Sequence, residues 1–187
     1  MYHLNMFGEE NALEMNKSCS LIHLNHPFDP IFDEKSAILI LGTFPSVKSR
    51  EYGFYYAHPQ NRFWKVIAGI TNTSPIPEEI STKKQMLLRN KIALADVIQS
   101  CSIEGSSDNT IREELPANLL EILSNSDIKC ICANGGKAHQ LFMRYFAKNV
   151  HLNVEKLPST SPANASYSLE KLILEWKRVI STFINLN

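Results

Sequence analysis

Residues 38 to 64 read ILILGTFPSVKSREYGFYYAHPQNRFW, a solid apolar run feeding a cluster of aromatic and polar side chains. Ile38, Leu39, Ile40 and Leu41 suit a strand buried on both faces. Gly42 then allows a tight turn or a close backbone approach. Beyond it, Phe54, Tyr55, Tyr56, His58, Gln60, Asn61 and Arg62 stand closer together than core building requires. A pocket that stacks a flat heterocycle and hydrogen-bonds its edge uses these residue types.

Working outward, runs at 92–98, 128–132 and 152–157 join 37–41 as strand candidates, and helical patterns separate them. The patterns lie at 61–70, 77–90, 116–123 and 137–148. The last helix is the clearest: Leu169, Leu172, Ile173, Trp176, Val179, Ile180 and Phe183 form one apolar stripe at helical period, with Ser168 as its N-cap. Strands alternating with helices predict an α/β fold, a mainly parallel sheet with helices on both faces. In such folds the ligand crevice lies outside the carboxyl ends of the strands. The loops at 42–60, 133–136 and 158–166 are therefore where chemistry is expected.

The length of 187 residues suits one domain, at 21–187, preceded by a polar extension at 1–20. Lys+Arg and Asp+Glu are both 19, so net charge supplies no global pull toward nucleic acid, though a local basic face is compatible with it. The four cysteines do not form a disulfide framework, and Cys130 and Cys132 alternate so as to share one strand face. The expected setting is a reducing cytoplasm, nucleoid-associated in a prokaryote. No signal peptide or membrane span is read.

Each candidate motif has a plain structural reading beside its functional one. Gly42 to Ser46 is a strand-to-loop turn. Asn61 suits an N-cap, Arg62 a capping contact, and Phe63 and Trp64 the core. The run 157–166, LPSTSPANAS, is a stiffened polar loop whose hydroxyls and N–H groups suit a phosphate. Asn134-Gly135-Gly136-Lys137 opens a helix and suits an anion, yet it is not a Walker loop, and no G-x-G-x-x-G fingerprint occurs. Asp96, inside an apolar run, is either a paired structural acid or a group facing the crevice.

Together these motifs resemble the uracil-DNA glycosylase superfamily over roughly residues 26 to 184. HPQNRFWKVI, His58 to Ile67, is similar to a stretch of mismatch-specific uracil/thymine-DNA glycosylases. LGTFPS, Leu41 to Ser46, paired with STSPANAS, Ser159 to Ser166, resembles the hypoxanthine (deoxyinosine) DNA glycosylase branch. The resemblance implies a three-layer α/β/α fold around a four-stranded parallel sheet. It implies base flipping and cleavage of the N-glycosidic bond, without metal or cofactor.

The resemblance also distributes roles. Asn61 maps onto the important polar residue of the hypoxanthine branch, and His58 stands beside it as a second catalytic candidate. Gly42, Thr43, Phe44, Phe54, Tyr56, Gln60 and Asp96 are expected to bind the base. Pro45, Ser46, Lys48, Arg62, Lys137, Ser159, Thr160, Ser161, Pro162, Ala163 and Asn164 are expected to face DNA. Phe44 departs from the family pattern, standing where relatives carry a water-orienting Asp or Asn. No lysine stands out as a Schiff-base nucleophile, so a monofunctional glycosylase is expected, working as a monomer on DNA that holds a deaminated base. Hypoxanthine is the favoured substrate. A uracil or thymine-mismatch glycosylase, and a non-catalytic binder of a damaged base or nucleotide, are the alternatives; a small-molecule α/β enzyme ranks last.

Overall fold

The computed structural model describes residues 21–185; the expected polar extension at 1–20 lies outside them. The strands are β1 (Ile22–Asn25), β2 (Ile38–Gly42), β3 (Ile92–Asp96), β4 (Ile98–Ile103), β5 (Arg112–Pro116), β6 (Cys130–Asn134) and β7 (Asn153–Leu157). The helices are α1 (Val47–Tyr52), α2 (Phe63–Ile70), α3 (Ile80–Arg89), α4 (Leu119–Ser124), α5 (Gly136–Tyr145) and α6 (Leu169–Ile180). The expected four-stranded parallel sheet is present in the order β3-β2-β6-β7.

Alternation along β2 sends side chains to two different cores. Ile38 and Ile40 pack with Phe63 and Ile67 of α2, Leu87 of α3, and Leu172 and Trp176 of α6. Leu39 and Leu41 pack with Leu119 of α4, Leu141 and Phe142 of α5, and Ile98 and Cys101 of β4. Every residue of β2 and β3 is buried, which explains their unbroken apolar runs. Cys130 and Cys132 share one face, as their spacing predicts, with sulfurs 3.9 Å apart. No helix among the described residues is long and apolar enough to cross a membrane.

The run at 92–98 is not one strand. The chain bends at Val97, whose N–H donates to the Gly42 carbonyl (3.0 Å), while Ile98 N–H donates to that of Thr43 (3.2 Å). β3 therefore ends in the parallel sheet, and β4 begins a three-stranded antiparallel sheet, β1-β4-β5. This second sheet, absent from the sequence reading, packs on the α4/α5 side and brings its β4–β5 loop to the carboxyl edge of the main sheet. The helices at 77–90 and 116–123 begin later than expected, because Pro77 precedes an extended Glu79 and Pro116 ends β5.

Candidate active site

Parallel register aligns the ends of all four strands. Gly42 stands beside Asp96, Leu41 beside Ala133, and Asn134 beside Leu157. The chain passes from β2 to β3 on one side and later to β6 on the other, so a crevice opens between β2 and β6. A cavity of about 350 Å³ occupies it, lined by Thr43, Phe44, Pro45 and Ser46 after β2, Asp96 and Asn134 at the ends of β3 and β6, and Ser159 to Ser161 after β7. Tyr56, Asn61, Ala163 and the β4–β5 loop at 106–109 complete it.

The Asn61 side chain is held by two partners. Its Oδ1 accepts from Phe63 N–H (3.0 Å) and from the Thr160 hydroxyl (3.0 Å). Thr160 is fixed in turn by Asn134, whose Nδ2 donates to the hydroxyl (3.0 Å) and whose Oδ1 accepts Thr160 N–H (2.9 Å). With the oxygen committed to two donors, the amide nitrogen is the face left for the cavity. Arg62 rather than Asn61 takes the N-cap position of α2, but the Asn61 side-chain oxygen still satisfies Phe63 N–H at the helix start.

Arg62 is scaffold rather than exposed cation. Its guanidinium donates to the carbonyls of Thr160 (3.3 Å), Ser161 (2.7 Å), Asn164 (2.9 Å) and Tyr167. A planar fork suits this task, and it fixes the 158–167 loop against the start of α2. Arg62, expected to face DNA, is thus engaged by backbone carbonyls of the neighbouring loop.

Asp96 is 6% exposed and is shared between two neighbours. Its Oδ2 lies 3.0 Å from His26 Nε2, while His26 Nδ1 lies 2.7 Å from the Phe28 carbonyl. That carbonyl can only accept, so Nδ1 carries a proton. The Nε2–Oδ2 contact then holds one further proton, and imidazolium–carboxylate or imidazole–carboxylic acid are both neutral overall. The other carboxylate oxygen lies over Gly42, where an added Cβ would come within 2.1 Å of it. Close approach is what Gly42 supplies here.

Tyr56 adopts a left-handed backbone (φ 53°) and stacks on Phe63 with ring centroids 4.0 Å apart. Its hydroxyl is buried and lies near the Asn134 side chain. Burial first, and the Asp96 charge second, push its pKa far up, so it stays a phenol. Asp108, on the β4–β5 loop, is raised chiefly by burial; a hydrogen bond from Thr43 and the charge of Lys137 oppose that shift, and the charge of Asp96 adds to it.

Several expected site residues lie outside the cavity lining. Asn61 N–H donates to the His58 carbonyl (2.8 Å), closing a turn that swings His58 and Gln60 outward, and neither lines the cavity. His58 Nδ1 accepts from Gln60 N–H (3.2 Å). Phe54 is buried and stacks on Trp64 (centroids 5.5 Å apart), so it is core rather than a base platform. Lys48 is exposed and pairs with Glu51 (2.8 Å). Pro162 is exposed outside the lining. Lys137 and Asn164 line an adjoining cleft with Gly135, Gly136 and Ser159 at the start of α5. The sequence reading missed His26, Phe28 and Asp108. Nothing local marks them: His26 meets Asp96 across seventy positions, and Asp108 sits in an aperiodic polar loop.

A parallel α/β sheet carries a polar, aromatic-walled cavity at its carboxyl edge. The sequence profile of the Uracil DNA glycosylase superfamily matches residues 30–180, and the chain belongs to that superfamily of DNA glycosylases. It is 32% identical over 155 residues to a hypoxanthine DNA glycosylase of Methanosarcina acetivorans, covering 81% of this chain and 95% of the relative. It is 34% identical over 113 residues to a hypoxanthine DNA glycosylase of Methanosarcina barkeri, covering 59% and 71%. The solution NMR structure of a Methanosarcina acetivorans protein assigned as a uracil DNA glycosylase superposes with a TM-score of 0.71 at 29% identity, covering 87% of this chain and 99% of that one.

Proposed function

We propose that the protein is a monofunctional hypoxanthine DNA glycosylase, which takes a flipped deaminated base into the cavity and hydrolyses its N-glycosidic bond. The observation that carries this reading is the fixed amide of Asn61. Its oxygen is spent on Thr160 and Phe63, so Asn61 offers an N–H donor to the base. A deaminated base presents a ring carbonyl where its parent carries an amine. A fixed donor therefore favours it, because the parent's exocyclic amine would face another N–H group. The two hypoxanthine DNA glycosylases among the relatives support the choice of base.

Breaking the C1′–N bond leaves its electron pair on the base and positive charge on the sugar. Donors already aimed at the departing base stabilise that charge without reorganisation, an effect worth roughly 10²–10³ in rate per donor. Asn61 is one such donor, and the buried Tyr56 hydroxyl is a second. The outer oxygen of Asp96 is an acceptor suited to a lactam N–H. Phe44 and Tyr56 supply aromatic walls. The start of α5, with Lys137 and Ser159, suits a backbone phosphate.

Abasic-site formation on duplexes holding hypoxanthine, uracil, xanthine or a mismatched thymine, at excess protein, tests the reading. Hypoxanthine release fastest of the four is the expected result. Preferred release of uracil or thymine would reassign the substrate. Phe44 at the usual water-orienting position favours one rival, a non-catalytic binder, and tight binding without an abasic product would establish it.

A further inference from the structure

Phe44 leaves the cavity without a water-activating group on the turn after β2, but the structure brings a carboxylate to the same place from another element. Asp108 lies on the β4–β5 loop and lines the same cavity as Thr43 and Phe44. We propose that Asp108 is the general base of this glycosylase, the role its Phe44 cannot fill; the proposal rests on the glycosylase reading above.

The β4–β5 loop is built into the site rather than hung beside it. Arg50 of α1 bridges the two loops, donating to the Pro45 carbonyl (2.7 Å) and to that of Gly105 (3.1 Å). Val47 N–H donates to the Ser106 hydroxyl (2.9 Å). Within the loop, the Thr110 hydroxyl donates to the Ser107 carbonyl (2.7 Å) and accepts Glu104 N–H (3.0 Å). These bonds hold Asp108 relative to the turn that carries Phe44, as a base acting on a bound water requires.

In the step itself, a water oxygen forms the bond to C1′ while the C1′–N bond breaks. The electron pair of that bond leaves with the base. The water proton passes to Asp108, and the departing base takes up one proton from solvent. Burial makes the Asp108 carboxylate a stronger base than an exposed one. The charged and titratable groups facing it are Asp96 at the end of β3, Lys137 on α5, and Tyr56; Cys101 on β4 lies within electrostatic reach.

Single-turnover hydrolysis of an inosine duplex by wild type and Asp108→Asn, across about pH 5 to 9, is the test. The expected result is a rate at least about a hundredfold lower with duplex affinity retained. The acidic limb of the wild-type profile should disappear. Stability at neutral pH should stay close to wild type, because Asp108 is only half-buried on a short loop. A second variant, Asp108→Ala, should recover part of its rate in added formate, a small external base. A wild-type rate or an intact acidic limb in Asp108→Asn would overturn the assignment. So would absent formate rescue if Asp108→Asn failed to fold. Wild type that releases no base from any duplex would overturn the glycosylase reading and this one with it; release by wild type with an unaffected Asp108→Asn would overturn this one alone.

Discussion

At the scale of single residues the site turns on which atom of an amide faces the ligand. Asn61 Oδ1 serves α2 and Thr160, which leaves Nδ2 for the base. Asn61→Asp keeps the cap and the Thr160 contact but turns the donor into an anion facing the departing base. Hypoxanthine release should fall by about a hundredfold or more while the melting temperature stays close to wild type; equal turnover in a folded variant would refute the role of Asn61. Asn61→Ala should also slow release, and its lost cap should cost about 1 kcal/mol besides, measurable by urea unfolding. Asn61 was legible in the sequence through its HPQNRFW motif at the start of an apolar helical stripe, although Thr160, which also holds it, lies 99 positions away. Asp108 was not legible, since Thr43, which shares its cavity, and Arg50, which tethers its loop at Gly105, lie in a different part of the chain.

At the scale of elements, the site is a set of loops clamped to a rigid sheet edge. The clamp on the 158–167 loop is Arg62 from one side and α6 from the other, where Trp176 Nε1 donates to the Pro158 carbonyl (3.0 Å). A lysine at position 62 keeps the charge but cannot reach four carbonyls from one point. Arg62→Lys should therefore lower stability by about 2 kcal/mol, and weaken duplex binding more than it slows the chemical step. Comparing single-turnover rate with duplex affinity separates the two effects. The buried parallel strands were readable because burial on both faces leaves continuous apolar runs. β4 and β5 were not: IQSCSI and REELP alternate polar with apolar residues or carry charge, and they pair only through tertiary contact. The run at 92–98 misled because the chain bends at Val97 while staying buried in the core that the two sheets share with α4 and α5.

At the scale of the whole molecule, His26 and Asp96 tie the small antiparallel sheet to the parallel one directly at the cavity floor. β1 leads into His26, and Asp96 ends β3. The pair is buried, so removing one partner should cost far more than a surface ion pair would. His26→Ala leaves a carboxylate buried without its proton-sharing neighbour, an effect on the order of 3–5 kcal/mol. At about 2–4 °C per kcal/mol for a chain of this size, the melting temperature should fall by roughly 6–20 °C. Asp96→Asn should behave differently. Its amide nitrogen can donate to His26 Nε2, which then needs no proton of its own, and its oxygen still faces Gly42 as an acceptor. That variant should keep most of its stability and a measurable rate of base release. Thermal melts of the two variants side by side separate a shared-proton link between sheets from a simple buried charge. A large loss in Asp96→Asn with little in His26→Ala would reverse the assignment, making the negative charge itself, rather than the hydrogen-bonded link, what the fold requires.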